Sequence, residues 1–141
     1  MAIIDMQMMR YINLLDRVAH VKTMKCYIYN NTIIFAVPKA IIGKAVGPAG
    51  TNLRRMSEQL GKKIKIISEA DGALNNVNNI KNFVYDIVSP VQFNEIEFKD
   101  GMLVITAGMQ SKAALIGRER RREHELQQII KDTYGVEMRI M

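Results

Sequence analysis

Apolar residues recur along the chain with two different periods, and the changes of period divide it into elements. Met8, Tyr11, Ile12, Leu15, Val18 and Ala19 fall at helical spacing, with Arg10, Asn13, Asp16 and Arg17 on the other faces. This predicts an amphipathic helix of about four turns. From Met24 to Tyr29 the pattern alternates, with Met24, Cys26 and Ile28 against Lys25, Tyr27 and Tyr29, as in a strand. Asn30-Asn31 is a turn signal, because Asn tolerates positive φ. Thr32 to Val37 is apolar on both faces, which predicts a more buried strand paired with the first in a hairpin. Pro38 ends it and can open a helix over Ala40 to Val46. Gly47 to Gly50 breaks that helix. Thr51 or Asn52 can cap the next one, which carries Leu53, Met56 and Leu60 inward and Arg54, Arg55 and Glu58 outward. Gly61 suits its C-terminal end. Lys62 to Ser68 then alternates Ile64 and Ile66 against Lys63 and Lys65, again as a strand.

The same order returns after a polar stretch. Val77, Ile80, Val84, Ile87 and Val88 mark a helix, with Pro90 just beyond it. Phe93 to Lys99 sets Ile96 and Phe98 against Glu95, Glu97 and Lys99, and Asp100-Gly101 is a strong hairpin signal. Met102 to Ala107 reads as a buried strand, and Lys112 to Ile116 as a short helix. A long helix follows with Leu126, Ile129 and Ile130 inward. Gly135 ends it before a last strand, Val136 to Met141. The repeat has a fixed offset of 70 residues: Asn30 and Asn31 map onto Asp100 and Gly101, and Gly47 maps onto Gly117. The expected organisation is a first domain over residues 1–70, a linker over 71–76 and a second domain over 77–141, each in the order α-β-β-α-α-β.

Composition narrows the function classes. The chain of 141 residues is 48% hydrophobic and 24% charged, the balance of a globular protein. The net charge of +6 favours a polyanionic partner. Seven Lys or Arg against one acid lie between Pro38 and Ser68, so the positive charge concentrates around Gly47 to Gly50. Cys26 is the only cysteine, which excludes an intrachain disulfide and fits a reducing, cytoplasmic setting. No apolar run reaches the roughly 18 residues of a membrane span, and no signal-peptide order opens the chain, so no membrane partner is expected. Gly43-Lys44 is followed by Ala45, which breaks the phosphate-binding loop pattern of nucleotide hydrolases. His20 and His124 fall on separate helices, with no Cys or carboxylate at ligand spacing. No enzyme, metal or cofactor is expected.

The chemistry that remains is anion binding at the glycine loop. Gly47 and Gly50 have no Cβ, so a phosphodiester backbone can lie against the main chain. The loop opens a helix whose first N–H groups lack internal partners and carry partial positive charge. Lys39, Lys44, Arg54 and Arg55 surround it with cations, and Lys65 adds another on the strand. Candidate contacts in the first copy are Lys39, Lys44, Val46, Gly47, Pro48, Ala49, Gly50, Thr51, Asn52, Arg54, Arg55 and Lys65. Ile41, Ile42, Val46, Leu53 and Ile66 are candidates for an apolar groove under the bases, or simply core. The second copy keeps Gly117 but has Glu119 inside the loop and Arg120 for the second glycine. Gly117, Arg118, Arg120 and Arg121 are candidates there, working through side chains, against the alternative of a degenerate packing domain. With 6% aromatic residues and no Trp, readers built on exposed rings are disfavoured.

An apolar helix, a Gly-x-x-Gly loop, a basic helix and a basic strand together resemble a KH module. The stretch I-I-G-K-A-V-G-P-A-G-T-N-L-R-R-M-S-E-Q-L-G-K-K-I-K-I-I carries the resemblance in the first copy. K-A-A-L-I-G-R-E-R-R-R-E and V-E-M-R-I-M carry it in the second. The tandem resembles the archaeal NusA-like transcription termination and antitermination proteins along nearly the whole chain. That resemblance implies an α+β fold of two tandem type II (prokaryotic) KH domains, each with its helices on one face of a three-stranded sheet. It also implies single-stranded RNA as the ligand, with RNA polymerase or other transcription factors as further partners. A KH protein of ribosome assembly or RNA processing, and a scaffold module without RNA, are the competing readings.

Overall fold

The computed structural model describes residues 6–141; residues 1–5, at the head of the expected first domain, lie outside it. The described residues divide into two compact units, 6–69 and 70–141. It is an α+β protein. Among the described residues are six α-helices and two three-stranded sheets.

In the first unit, α1 (Met6–Ala19) leads into β1 (Cys26–Tyr29) and β2 (Thr32–Val37). Asn30 and Asn31 both take positive φ between them, 50° and 59°, so their short polar side chains occupy the left-handed conformations a tight hairpin needs. After a single 3-10 turn come α2 (Ile42–Val46), α3 (Thr51–Leu60) and β3 (Lys63–Ser68). The central strand β2 pairs antiparallel with β1 and parallel with β3, Phe35 lying opposite both Cys26 and Ile66. Ile33, Phe35, Val37, Cys26 and Ile64 form one core with Tyr11, Leu14 and Leu15 of α1, Ala45 of α2 and Met56 of α3. β2 is buried throughout from Ile33 to Val37, as its two apolar faces predict. Gly61 closes α3 at φ 64°, where its N–H reaches the Ser57 carbonyl at 2.8 Å.

The second unit repeats this with α4 (Val77–Val88), β4 (Glu95–Lys99), β5 (Met102–Thr106), α5 (Met109–Ile116), α6 (Arg121–Tyr134) and β6 (Glu137–Ile140). β5 is central, antiparallel to β4 and parallel to β6. Ile96, Leu103, Ile105, Met138 and Ile140 are buried and share one sheet face by register, while Glu95, Glu97, Glu137 and Arg139 are exposed on the other.

Several boundaries differ from the pattern, each for a local reason. β1 starts at Cys26, not Met24. The Ala36 N–H still donates to the Lys25 carbonyl at 2.9 Å, but the Thr23 hydroxyl donates to the Ala36 carbonyl at 2.7 Å and accepts from the Lys25 N–H at 3.1 Å, so a side chain replaces one of the two ladder bonds there. Met24 is accordingly exposed. α5 starts at Met109 rather than Lys112, since the Lys112 N–H already reaches the Gly108 carbonyl at 2.7 Å. Met109 is 90% exposed, so that first turn carries no apolar signal. Phe98, expected inward beside Ile96, is 43% exposed, because it sits on the edge strand β4 next to the hairpin turn. His20 lies just past α1 rather than on it, at φ 57°.

Candidate nucleic-acid interface

The glycine loop is a single 3-10 turn, Pro48–Gly50, set between α2 and α3. Gly47 ends α2 at φ 82° and ψ 165°, with its N–H on the Gly43 carbonyl at 2.9 Å. Ala49 and Gly50 then take left-handed conformations, φ 52° and 73°. Three of the four loop residues thus hold positive φ, which turns the chain sharply and presents its backbone outward. Pro48 and Ala49 are exposed.

The two glycines meet different surroundings. A Cβ on Gly47 would sit 2.8 Å from the Asn52 side chain and 3.0 Å from the Asn52 backbone nitrogen. A Cβ on Gly50 would meet only the Arg54 guanidinium, at 3.8 Å. Gly47 is therefore required by the protein's own packing, whereas the space beside Gly50 is open to a ligand. No side chain caps α3: Gly50 is its N-cap. Neither expected cap acts as one. The Thr51 hydroxyl donates back to the Pro48 carbonyl, and the Asn52 amide donates to the Lys44 carbonyl at 3.2 Å, tying the end of α2 to the start of α3. The first turn of α3 is left uncapped at a positive helix end.

Arg54 is anchored to the loop, with its Nη1 donating to the Ala49 carbonyl at 2.7 Å. Lys39, in the turn before α2, and Lys44, on α2, are exposed, as is Arg55 on α3. Val46 is half-buried at the end of α2. Ile41, Ile42, Leu53 and Ile66 are half-buried against the core, leaving part of each side chain at the surface beside the loop's helices. Lys65 is different. It alternates with Ile64 and Ile66, which face the helices, so it leaves β3 on the opposite sheet face, and the structure does not bring it to the loop.

The second loop keeps the backbone and changes its lining. Gly117 (φ 73°, ψ 176°), Glu119 (φ 56°, ψ 27°) and Arg120 (φ 60°, ψ 23°) reproduce Gly47, Ala49 and Gly50 with side chains present at two of three positive-φ positions. The latch is conserved in kind: Arg122, 70 residues after Asn52, donates to the Ala114 carbonyl, 70 residues after Lys44, at 3.1 Å. A Cβ on Gly117 would again be blocked, 2.8 Å from Arg122. Arg118, Arg120 and Arg121 are exposed. Glu123, at the place of Leu53, is 8% exposed, and its carboxylate lies 3.7 Å from the Arg120 guanidinium. Sequence reasoning named Lys44 and Asn52 as ligand contacts and missed the latch bond between them, and it missed Glu123. The 70-residue offset carried the signal, since it sets an acid where the first copy has an inward leucine.

Two repeats of one α+β unit, each with a tight positive-φ turn between two helices, define the molecule's class. No protein-family model matches the chain. It is 23% identical over 124 residues to a protein of Methanocaldococcus jannaschii named "Probable transcription termination protein NusA", a match spanning 85% of this chain and 64% of that one. Proteins of the same name from Methanococcus vannielii and Halococcus morrhuae are 26% identical over 89 residues and 22% identical over 114. Those matches span 60% and 79% of this chain, and 47% and 77% of theirs. The chain thus covers less than two thirds of the length of the first two relatives. The crystal structure of APE1850 superposes with a TM-score of 0.63 at 25% identity, covering 98% of this chain and all of that one. The chain is similar to archaeal proteins that carry the name NusA.

Proposed function

We propose that the chain binds single-stranded RNA as a NusA-like factor in transcription termination or antitermination, with the phosphate backbone held at Gly47–Gly50. The carrying observation is the open space beside Gly50 at the uncapped start of α3, with the Arg54 guanidinium fixed at its edge. A phosphate there meets backbone N–H groups, a positive helix end and a charged fork at once. Each unit is read as a type II KH domain, supported by the α-β-β-α-α-β order and a mixed sheet whose central strand runs parallel to the last. In such modules the loop clamps about four nucleotides. Ile41, Ile42, Leu53 and Ile66 would then lie under the bases, and Lys39, Lys44 and Arg55 along the strand. The relatives' names support a transcription setting, with RNA polymerase or other transcription factors as partners. The role is binding, with no catalytic step and no cofactor.

The test is a titration of single-stranded RNA with the wild type and with Pro48→Asp plus Ala49→Asp, at two salt concentrations. Both positions are exposed, so the fold is retained while two negative charges enter the phosphate site. Affinity should fall at least about tenfold and its salt dependence should flatten. Unchanged affinity would remove the loop from the binding site.

A further inference from the structure

The second loop copies the backbone of the first almost angle for angle, yet it carries side chains and acids where the first has none. We infer that the Arg120 side chain, within ion-pair distance of Glu123, stands where the first loop is open, so that the chain anchors RNA phosphate at one loop rather than two. The inference rests on the RNA-binding reading of the first loop.

Three observations carry it. First, Arg120 carries a side chain at the position where Gly50 has only open space, so a phosphate loses the close approach to the backbone that Gly50 allows. Second, Glu123 sits in the first turn of α6, where a carboxylate offsets the helix's own positive end. It is almost buried and lies within ion-pair distance of Arg120, so the loop's nearest cation already faces an anion. The first loop has Leu53 in that place and no acid in its turn. Third, the remaining cations are committed or diluted. Arg122 reaches back to the Ala114 carbonyl of α5, whereas Arg54 bonds a carbonyl of its own loop, and Glu119 stands inside the second loop between Arg118 and Arg120. The whole unit follows suit: residues 70–141 hold nine Lys or Arg against ten Asp or Glu, whereas residues 1–69 hold eleven against four. Arg118 and Arg121 keep a general attraction for a polyanion without a backbone cradle.

The experiment uses the full chain and a labelled single-stranded RNA of about 12 nucleotides, long enough for several four-nucleotide footprints. Two matched variants place equal negative charge on the two loops: Pro48→Asp plus Ala49→Asp, and Arg118→Asp plus Glu119→Asp, each a change of two charges. The first should weaken binding at least about tenfold and the second less than about threefold. A third variant, Arg120→Gly plus Glu123→Leu, restores the first copy's residues at no net charge change. It should bind RNA at least about threefold tighter and with a steeper salt dependence. Equal losses in the two matched variants would overturn the inference. So would a folded third variant that binds like the wild type, and if that variant does not fold, the matched pair alone decides. A wild type that binds no RNA, or is indifferent to the first-loop charges, would instead sink the RNA-binding reading beneath it.

Discussion

Gly47 and Gly50 have separable roles, and single methyl groups can tell them apart. At Gly47 an added Cβ meets Asn52 at 2.8 Å in a φ of 82°, so Gly47→Ala should destabilise the protein by about 2 kcal/mol, read by urea unfolding. Part of that cost should return when Asn52→Ala is added, because the nearest obstacle is the Asn52 side chain; the backbone contact at 3.0 Å remains. At Gly50 nothing lies nearer than 3.8 Å, so Gly50→Ala should cost only about 1 kcal/mol, from its left-handed φ, while weakening RNA binding severalfold. Equal effects of both substitutions on RNA affinity at unequal stability cost would contradict this division. The glycine pair and its cations were legible in the sequence, since spacing and composition announce them. The Arg54–Ala49 bond and the Asn52 latch were not. Both depend on where a carbonyl points once Ala49 is forced to positive φ, and no residue type encodes that.

At the scale of elements, α3 is the piece that turns a sheet-and-helix core into a site. Met56 is its fully buried residue and joins the core of α1 and β2, while Arg54 and Arg55, the two residues before it, point to other faces and stay outside. Met56→Ala should therefore cost about 2–4 kcal/mol by opening a cavity, measurable as a lowered urea midpoint, with RNA affinity of the folded fraction nearly unchanged. A loss of affinity without loss of stability would mean that Met56 reaches the ligand. Long periodic elements were readable: β2 and α4 match the pattern from end to end, and both hairpin turns fell at Asn30-Asn31 and Asp100-Gly101. The ends of β1 and α5 were not, because Thr23 substitutes for a ladder partner and Met109 begins a helix turn that packs on nothing. The Asn76 cap of α4 lay hidden in an Asn-rich run. Its Oδ1 accepts from the Asn79 N–H at 3.2 Å, yet several Asn in that run could have capped equally well.

At the scale of the whole chain, two copies of one backbone have divided the electrostatics unequally. A polyanion should feel a net +7 from residues 1–69 and a net −1 from residues 70–141. Counterion release converts that asymmetry into a measurable slope. If one loop clamps about four nucleotides, three to four phosphates are neutralised, and log K should fall against log salt with a slope of about −2 to −3 for a single strand. Two working loops would double the phosphate count and bring the slope to about −4 or steeper. The measurement needs only the intact chain and a salt series. It also separates a local phosphate clamp from diffuse attraction. Diffuse attraction would change the slope equally in Arg54→Gln and Arg118→Gln, since each removes one charge. A clamp at the first loop predicts that Arg54→Gln flattens the slope by roughly one phosphate equivalent while Arg118→Gln leaves it where it was. Arg54 is fixed on the Ala49 carbonyl at the loop's edge, and Arg118 stands beside an acid, so the fold itself assigns these two arginines opposite outcomes.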